Sequence, residues 1–273
     1  MIHLKSRWWW DLTTRDFAET DMSQVIAVLP VAAVEQHGPH LPVRVDSAIN
    51  AGIMARLAER LPQDIPALIL PMQPVGKSVE HTAYPGTLTL SYETLARVWY
   101  EIAESVARTG CRKIVFANSH GGQPQVMEIV CRELRVKLDM FAVSAWVTAG
   151  ADMSDLFSAH EMKHGIHGGE YETSAMLALH PGLIQMQHAD DFVSLSVEME
   201  RTNPILTPEG GIGFGWQTQD IHPSGACGNA AAGDGARGNI ALDRAADSFV
   251  ALLREVRDYP LSRITDRTMF NNA

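Results

Sequence analysis

Three short clusters of histidine and acidic residues are the groups in this sequence that could do chemistry. The first is EQHGPH at 35–40, with Asp46 shortly beyond it. Glu35 and His37 are two residues apart, so in an extended chain both side chains point the same way and can reach one site. Two carboxylates and an imidazole form a ligand set that zinc, manganese or iron accepts. In the simpler alternative, Asp46 only caps a helix and His37 only occupies a turn.

The second cluster is NSHGG at 118–122, which contains His120. It also follows an apolar segment, and its two glycines allow the backbone to approach a ligand closely. Taken alone, this pattern is typical of a turn with a surface histidine. The first cluster, however, occupies the equivalent place after another strand. Because parallel strands present their carboxyl ends at one edge of the sheet, this favours a site shared by the two clusters.

The third cluster is HGGEYETS at 167–174, at the predicted start of a helix. Glu170 and Glu172 are two residues apart, so on a helix they cannot share a face. We therefore expect one of them to face a site and the other to answer the helix dipole. The histidines outside these clusters are interpreted as surface or structural residues, namely His81, His160, His164, His180, His188 and His222.

The elements that must position these clusters alternate between strands and helices. Apolar runs such as 25–34 and 112–117 are typical of strands buried on both faces of a parallel sheet. Helical periodicity follows each of them, and the last helix is predicted at about 240–256. This rhythm predicts a doubly wound α/β fold. The clusters come directly after the strands, where open α/β sheets bind their ligands.

The predicted organisation is one domain over residues 1–273, since no linker or repeat divides the chain. It includes a long irregular segment at about 185–240, rich in glycine, proline and asparagine. A loop of this length is usually functional or an oligomer contact.

Composition excludes several classes of protein. The formal net charge is −10, so the chain has no general attraction to nucleic acid or to anionic lipid. No apolar stretch is long enough for a membrane-spanning helix. The three scattered cysteines form no disulfide framework and no CxxC pair, which fits a cytoplasmic protein.

The sequence resembles the creatininase family. Four motifs carry the resemblance in order, between about 28 and 181, namely VLPVAAVEQHGPHLPVRVD, HTAYPGTLTL, NSHGGQ and HGGEYETSAMLALHP. The resemblance implies a three-layer α/β/α sandwich with a mostly parallel central sheet. It also implies two divalent metal ions per subunit, a small-molecule substrate and a homo-oligomer, often a hexamer.

Carried over by position, Glu35 and His120 resemble ligands of one metal, His37 resembles a ligand of the second, and Asp46 resembles the carboxylate that bridges both. His167 matches the histidine that works on the substrate. Creatininase has a further metal ligand, a glutamate, two residues after the histidine of the second cluster, where this chain has Gly122. Glu172 and Glu170 are the natural replacements. We prefer Glu172 as the ligand, which leaves Glu170 as a second catalytic candidate.

The resemblance implies hydrolysis of a C–N bond in an amide, a cyclic amide or a formamide, by a metal-activated water. Gly122, and the absence of a tryptophan just before His167, argue against creatinine itself as the substrate. One alternative is a hydrolase that opens the ring of a keto-cyclitol or a lactone at a C–C or ester bond. The other is a catalytically silent metal-binding scaffold.

Overall fold

Four parallel strands form the central sheet of the computed structural model, which describes residues 2–271. The first three strands are fully buried, as expected of β-branched runs covered on both faces. The fourth lies at one edge of the sheet and is more exposed. The strands are β1 (Ile26–Val31), β2 (Ala67–Ile69), β3 (Lys113–Asn118) and β4 (Phe141–Trp146).

The strand order is β2-β1-β3-β4, so the direction of winding reverses between β1 and β3. These two strands pair in parallel from Ile26↔Lys113 to Val31↔Asn118. In open α/β sheets, the crevice beyond such a reversal is where ligands bind. The first cluster begins at Glu35, shortly after β1 ends, and the second begins at Asn118, the last residue of β3.

Helices cover both faces of the sheet, which confirms the predicted three-layer α/β/α fold. One apolar core lies between the sheet and α2, α6 and α9, and the other between the sheet and α3 and α4. The helices are α1 (Thr14–Glu19), α2 (Val45–Arg60), α3 (Tyr92–Ala107), α4 (Pro124–Leu138), α5 (Ala159–His164), α6 (Glu170–Leu179), α7 (Leu195–Thr202), α8 (Thr218–Ile221) and α9 (Gly235–Asp258).

A buried asparagine ties the sheet to the helix that follows β1. The side-chain amide of Asn50, in α2, donates to the carbonyl of Val31 at 3.1 Å and to that of Ala117 at 2.9 Å. Those carbonyls lie at the carboxyl ends of β1 and β3. One side chain therefore fixes the spacing of the two strand ends that lead into the clusters.

The segment at 185–240 contains more regular structure than its composition suggests. It holds α7 and α8, and a short antiparallel pair of β5 (Asp191–Phe192) and β6 (Gly228–Asn229). The last helix begins at Gly235 rather than at about 240, because the Asp234 side chain caps it by accepting the backbone N–H of Arg237 at 2.8 Å. That the chain forms a single domain stays a prediction.

Within residues 2–271, none of the helices combines the length and the apolar character needed to cross a membrane.

Candidate active site

The three sequence clusters meet beyond the ends of β1 and β3. We call the six residues that meet there the central cluster, namely Glu35, His37, Asp46, His120, His167 and Glu172. Their ligand atoms form three overlapping groups, and within each group the atoms lie within 4.8 Å of one another. Five of the six residues are buried, and the side chain of Glu172 is 20% exposed. The cluster is therefore a buried group of polar side chains at the edge of the sheet, and Glu172 is its most exposed member.

Glu35 and His120 form the first group with Asp46. The Oε1 of Glu35 lies 3.2 Å from the Nδ1 of His120. The Nε2–H of His120 donates to the carbonyl oxygen of Lys77 at 2.8 Å. Because that bond fixes the proton on Nε2, Nδ1 is free to act as a ligand.

His37, Asp46 and Glu172 form the second group. The Nε2 of His37 is 3.8 Å from the Oδ2 of Asp46 and 3.7 Å from the Oε1 of Glu172. The Nδ1–H of His37 donates to the carbonyl of Glu35 at 3.0 Å, so Nε2 is the nitrogen that faces the carboxylates. Both groups contain Asp46, so its carboxylate lies between them.

Asp46 is not a helix cap. Arg44 occupies the N-cap position of α2, and Asp46 lies within the first turn with its side chain buried. The alternative that Asp46 only caps a helix is therefore wrong. Its carboxylate turns back from the start of α2 toward the edge of the sheet, as the sequence predicted.

His167 also lies close to Glu35. Its Nδ1 is 3.7 Å from the Oε1 of Glu35, and its Nε2–H donates to the carbonyl of Gln36 at 2.6 Å. The loop that carries it is fixed by two backbone hydrogen bonds with Cys227, including Cys227 N–H to the His167 carbonyl at 2.6 Å. Glu172 closes the same loop by accepting the N–H of Gly168 at 2.6 Å.

Glu170 does not reach the central cluster. It is two residues from Glu172 on α6, so it faces another direction, and its carboxylate is paired with the guanidinium of Arg237 in α9. The catalytic role predicted for Glu170 stays a prediction, and this position does not support it.

Two further residues of the site were missed by sequence reasoning. His81 is buried, with its Nε2 at 3.4 Å from the Oε1 of Glu35 and its ring centroid 4.2 Å from that of His167. Its interpretation as a surface or structural histidine overlooked this position. The side-chain amide of Gln36 donates to the Nδ1 of His81 at 2.8 Å and to the carbonyl of Gly225 at 2.9 Å. The available signal was the HTAYPGTLTL motif that contains His81.

Three buried atoms of the central cluster have no hydrogen-bond partner among residues 2–271. They are the Oε2 of Glu35, the Nε2 of His37 and the Oδ2 of Asp46. An unpaired buried polar atom costs about 1–3 kcal/mol. Unpaired oxygen and nitrogen acceptors that share one small volume are what a cation site requires, and this set fits a divalent metal.

The electrostatics of the metal-free cluster agree with a cation site. Burial raises the pKa of Asp46 to about 8, and the nearby carboxylate of Glu35 adds to this shift. Burial lowers the pKa of His37 and of His120, but adjacent carboxylates outweigh it and raise these values to about 10 and about 9. Without a cation, therefore, protons compensate the negative charge of the cluster.

The pKa values of two carboxyl groups and of one imidazole in the cluster are lowered. Burial would raise the pKa of Glu35, yet His120 beside it holds the pKa well below its usual range. The pKa of Glu172 is likewise lowered to about 2, because His37 outweighs the effect of burial. Burial, reinforced by the charge of His37, lowers the pKa of His167 to about 4, so this imidazole is neutral near pH 7.

A comparison with protein families decides the relationship of this chain. The sequence profile for creatininase, described as creatinine amidohydrolase, matches residues 10–253. The chain belongs to the creatininase family. The resemblance noted in the sequence is thereby confirmed, and the chain is a hydrolase of this family.

Two relatives illustrate the range of the creatininase family. This chain is 31% identical over 198 residues to creatinine amidohydrolase of Pseudomonas putida, a match that covers 66% of this chain and 75% of that protein. It is 30% identical over 158 residues to the mycofactocin precursor peptide peptidase of Mycolicibacterium smegmatis. That match covers 57% of this chain and 58% of the peptidase.

A solved creatininase shares the fold. A single-residue variant described as a Zn–Zn type is 25% identical, with a TM-score of 0.73 over 94% of this chain and 100% of that one. The creatininase fold therefore extends over nearly the whole of the chain described here.

Proposed function

We propose that this protein is a metal-dependent hydrolase that cleaves a C–N bond of a small amide, cyclic amide or formamide. The observation that carries the proposal is the set of unpaired buried atoms on Glu35, His37 and Asp46, which share one pocket. The names of the two relatives, an amidohydrolase and a peptidase, support the choice of a C–N bond.

In this proposal five residues would hold two divalent ions, three residues for each ion with one residue shared. Glu35, Asp46 and His120 would hold one ion, and His37, Asp46 and Glu172 would hold the other, with Asp46 common to both sets. In this proposal Glu172 replaces the glutamate ligand that creatininase has at the position of Gly122. These oxygen and nitrogen ligands accept zinc, manganese or iron alike.

When bound, such a metal pair makes a water molecule acidic near neutral pH and polarises a carbonyl group. Hydrolysis joins the water oxygen to the carbonyl carbon, breaks the C–N bond and protonates the departing nitrogen. In this proposal the Nδ1 of His167 takes a proton from the attacking water and passes it to the departing nitrogen. The Nε2–H is held by the carbonyl of Gln36, and burial lowers the pKa of the ring to about 4, so Nδ1 is unprotonated near pH 7 and can accept that proton. General acid–base help of this kind contributes roughly 10²–10⁴-fold.

The test combines metal analysis with a substrate panel of cyclic amides, formamides, short peptides, lactones and keto-inositols. We expect two metal equivalents per chain and turnover of at least one C–N substrate, lost with a chelator and restored by added metal. Turnover of lactones or keto-inositols alone would contradict cleavage of a C–N bond and would favour the alternative, a hydrolase that opens a ring at an ester or C–C bond. Less than one metal equivalent per chain, with no turnover at all, would favour a silent scaffold.

We also propose a homo-oligomer in the cytoplasm. The long segment at 185–240 is available for subunit contacts, and Cys111, Cys131 and Cys227 are unpaired, which fits a reducing compartment. Light scattering on the purified protein tests the assembly, and a monomeric mass at micromolar concentration would contradict it.

A further inference from the structure

Gly122 leaves a space beside His120 that a carboxylate from another part of the chain fills. A Cβ atom added at Gly122 would overlap the Oε1 of Glu80 and would lie 2.6 Å from the Nε2 of His120. It would also lie 2.8 Å from the carbonyl oxygen of Lys77. A side chain at position 122 is therefore incompatible with the approach of residues 77–80 to His120.

Residues 77–80 enclose the outer side of the His120 ring. The carbonyl of Lys77 accepts the Nε2–H at 2.8 Å, and the hydroxyl of Ser78 lies 3.4 Å from the same nitrogen. The Oε1 of Glu80 is 3.8 Å from that nitrogen. All three contacts lie on the side of the ring opposite Nδ1, which faces Glu35.

Two hydrogen bonds hold Glu80 in this position, one to its carboxylate and one to its backbone carbonyl. Its Oε2 accepts a hydrogen bond from the ammonium of Lys77 at 3.0 Å, and the side chain is 12% exposed. The backbone carbonyl of Glu80 accepts the hydroxyl of Thr218 at 3.1 Å, which anchors this segment to α8. Glu80 therefore carries a nearly buried negative charge next to a ring whose other nitrogen faces the central cluster.

We propose that Glu80 is a positioning residue that strengthens His120 as a metal ligand from the outer side of its ring, and that Gly122 exists to admit it. A negative charge near Nε2–H polarises the imidazole and increases the electron density at Nδ1. Glu80 is not a ligand itself, because it lies on the far side of the ring from the shared pocket. The inference rests on the proposed metal site.

The test compares Glu80→Gln, which removes the charge and keeps the size, with Glu80→Ala, which removes both. Glu101→Gln is the matched control, since Glu101 is also paired with a basic residue of its own helix but lies on the exposed face of α3. Zinc affinity and stoichiometry are measured on the whole 273-residue chain by competition with a chromogenic chelator. Urea denaturation of the metal-free protein reports the fold.

We expect Glu80→Gln to keep two zinc equivalents but to weaken one of them by about 10-fold, at the low end of the 10–100-fold cost of losing an outer partner of a ligand. We expect its metal-free urea midpoint, and all properties of Glu101→Gln, to match the unaltered protein. Glu80→Ala should show at least the same loss of affinity.

Two results would overturn the inference while leaving the metal site intact. Unchanged zinc affinity in Glu80→Gln would mean that Glu80 only fills space. Loss of a whole zinc equivalent would mean that Glu80 is itself a ligand. If the unaltered protein binds no zinc, manganese or iron, the proposed function fails first and this inference fails with it.

Discussion

At the scale of single residues, the chemistry of this site depends on which nitrogen of each histidine carries the proton. His37, His120 and His167 each donate one ring N–H to a main-chain carbonyl, at 3.0, 2.8 and 2.6 Å respectively. The other nitrogen of each ring faces the carboxylates. The main-chain carbonyls thus fix the orientation of each ring, so that the same nitrogen of each histidine faces the carboxylates whatever its protonation state.

Asp46 is the residue whose loss should affect both ions. We expect Asp46→Ala to lose both metals together and to lower turnover by more than about 100-fold, since even an outer partner of a ligand is worth 10–100-fold. Metal analysis and steady-state kinetics on the same preparation provide the measurement. Retention of both metals with unchanged turnover would refute the bridging role.

Metal binding should depend strongly on pH. In the metal-free site, burial raises the pKa of Asp46 to about 8, and nearby carboxylates raise that of His120 to about 9 against the effect of burial. Below these values the groups hold protons that a metal must displace, so affinity falls as pH falls, by about tenfold per unit for each proton released. Zinc competition titrations from pH 6 to 9 measure this slope. A flat profile would show that these groups do not bind the ion.

At the scale of elements, the site depends on a buried carboxylate outside it. Glu161, in α5, accepts the N–H of Glu170 at 2.7 Å and that of Asn229 at 3.0 Å. A Cβ atom at Gly165, Gly169 or Gly228 would overlap its Oε1. Glu161 therefore holds together α5, the start of α6 and β6, and the loop of His167 lies between them.

Glu161→Gln should loosen this junction, because the new amide places a donor against backbone donors. We expect about 1–3 kcal/mol of lost stability, the cost of an unsatisfied buried group, together with a lower kcat. Urea denaturation and kinetics provide the two readouts, and the exposed Glu198→Gln serves as the control. An unaltered denaturation midpoint would mean that the hydrogen bonds of Glu161 do not contribute to stability.

The sequence predicted the part of the site that follows regular elements. Glu35, His37 and His120 come directly after buried strands and Asp46 begins a helix, so their convergence follows from the geometry of a parallel sheet. Their roles as ligands stay predictions. His81 and Glu80 were missed because they lie in a turn-rich stretch, where position is set by distant contacts such as that of Thr218 with both residues. The start of α9 was misplaced because its first turn contains glycines and is held by the Asp234 cap.

At the scale of the whole molecule, the two apolar cores stabilise the fold, whereas the unpaired polar atoms of the central cluster destabilise it. The sheet buries apolar residues on both faces, whereas the pocket at its edge holds unpaired acidic and imidazole atoms. The cores must therefore offset the unfavourable free energy of the metal-free pocket.

Bound metal should remove part of that cost. We expect each occupied site to raise the free energy of unfolding by about 2.7 kcal/mol when free zinc is 100 times the dissociation constant of that site, provided that the unfolded chain does not bind zinc. Urea denaturation with EDTA and with buffered zinc measures the difference. Identical curves in the two conditions would argue against a site that forms only in the folded chain.

The main-chain carbonyls that hold the three histidine rings have a consequence for engineering. No side-chain substitution can delete those acceptors, so a library that randomises the residues around the central cluster keeps the three rings in their orientation. Laboratory selection for new substrates can thus vary the shape of the cavity independently of its reactive centre.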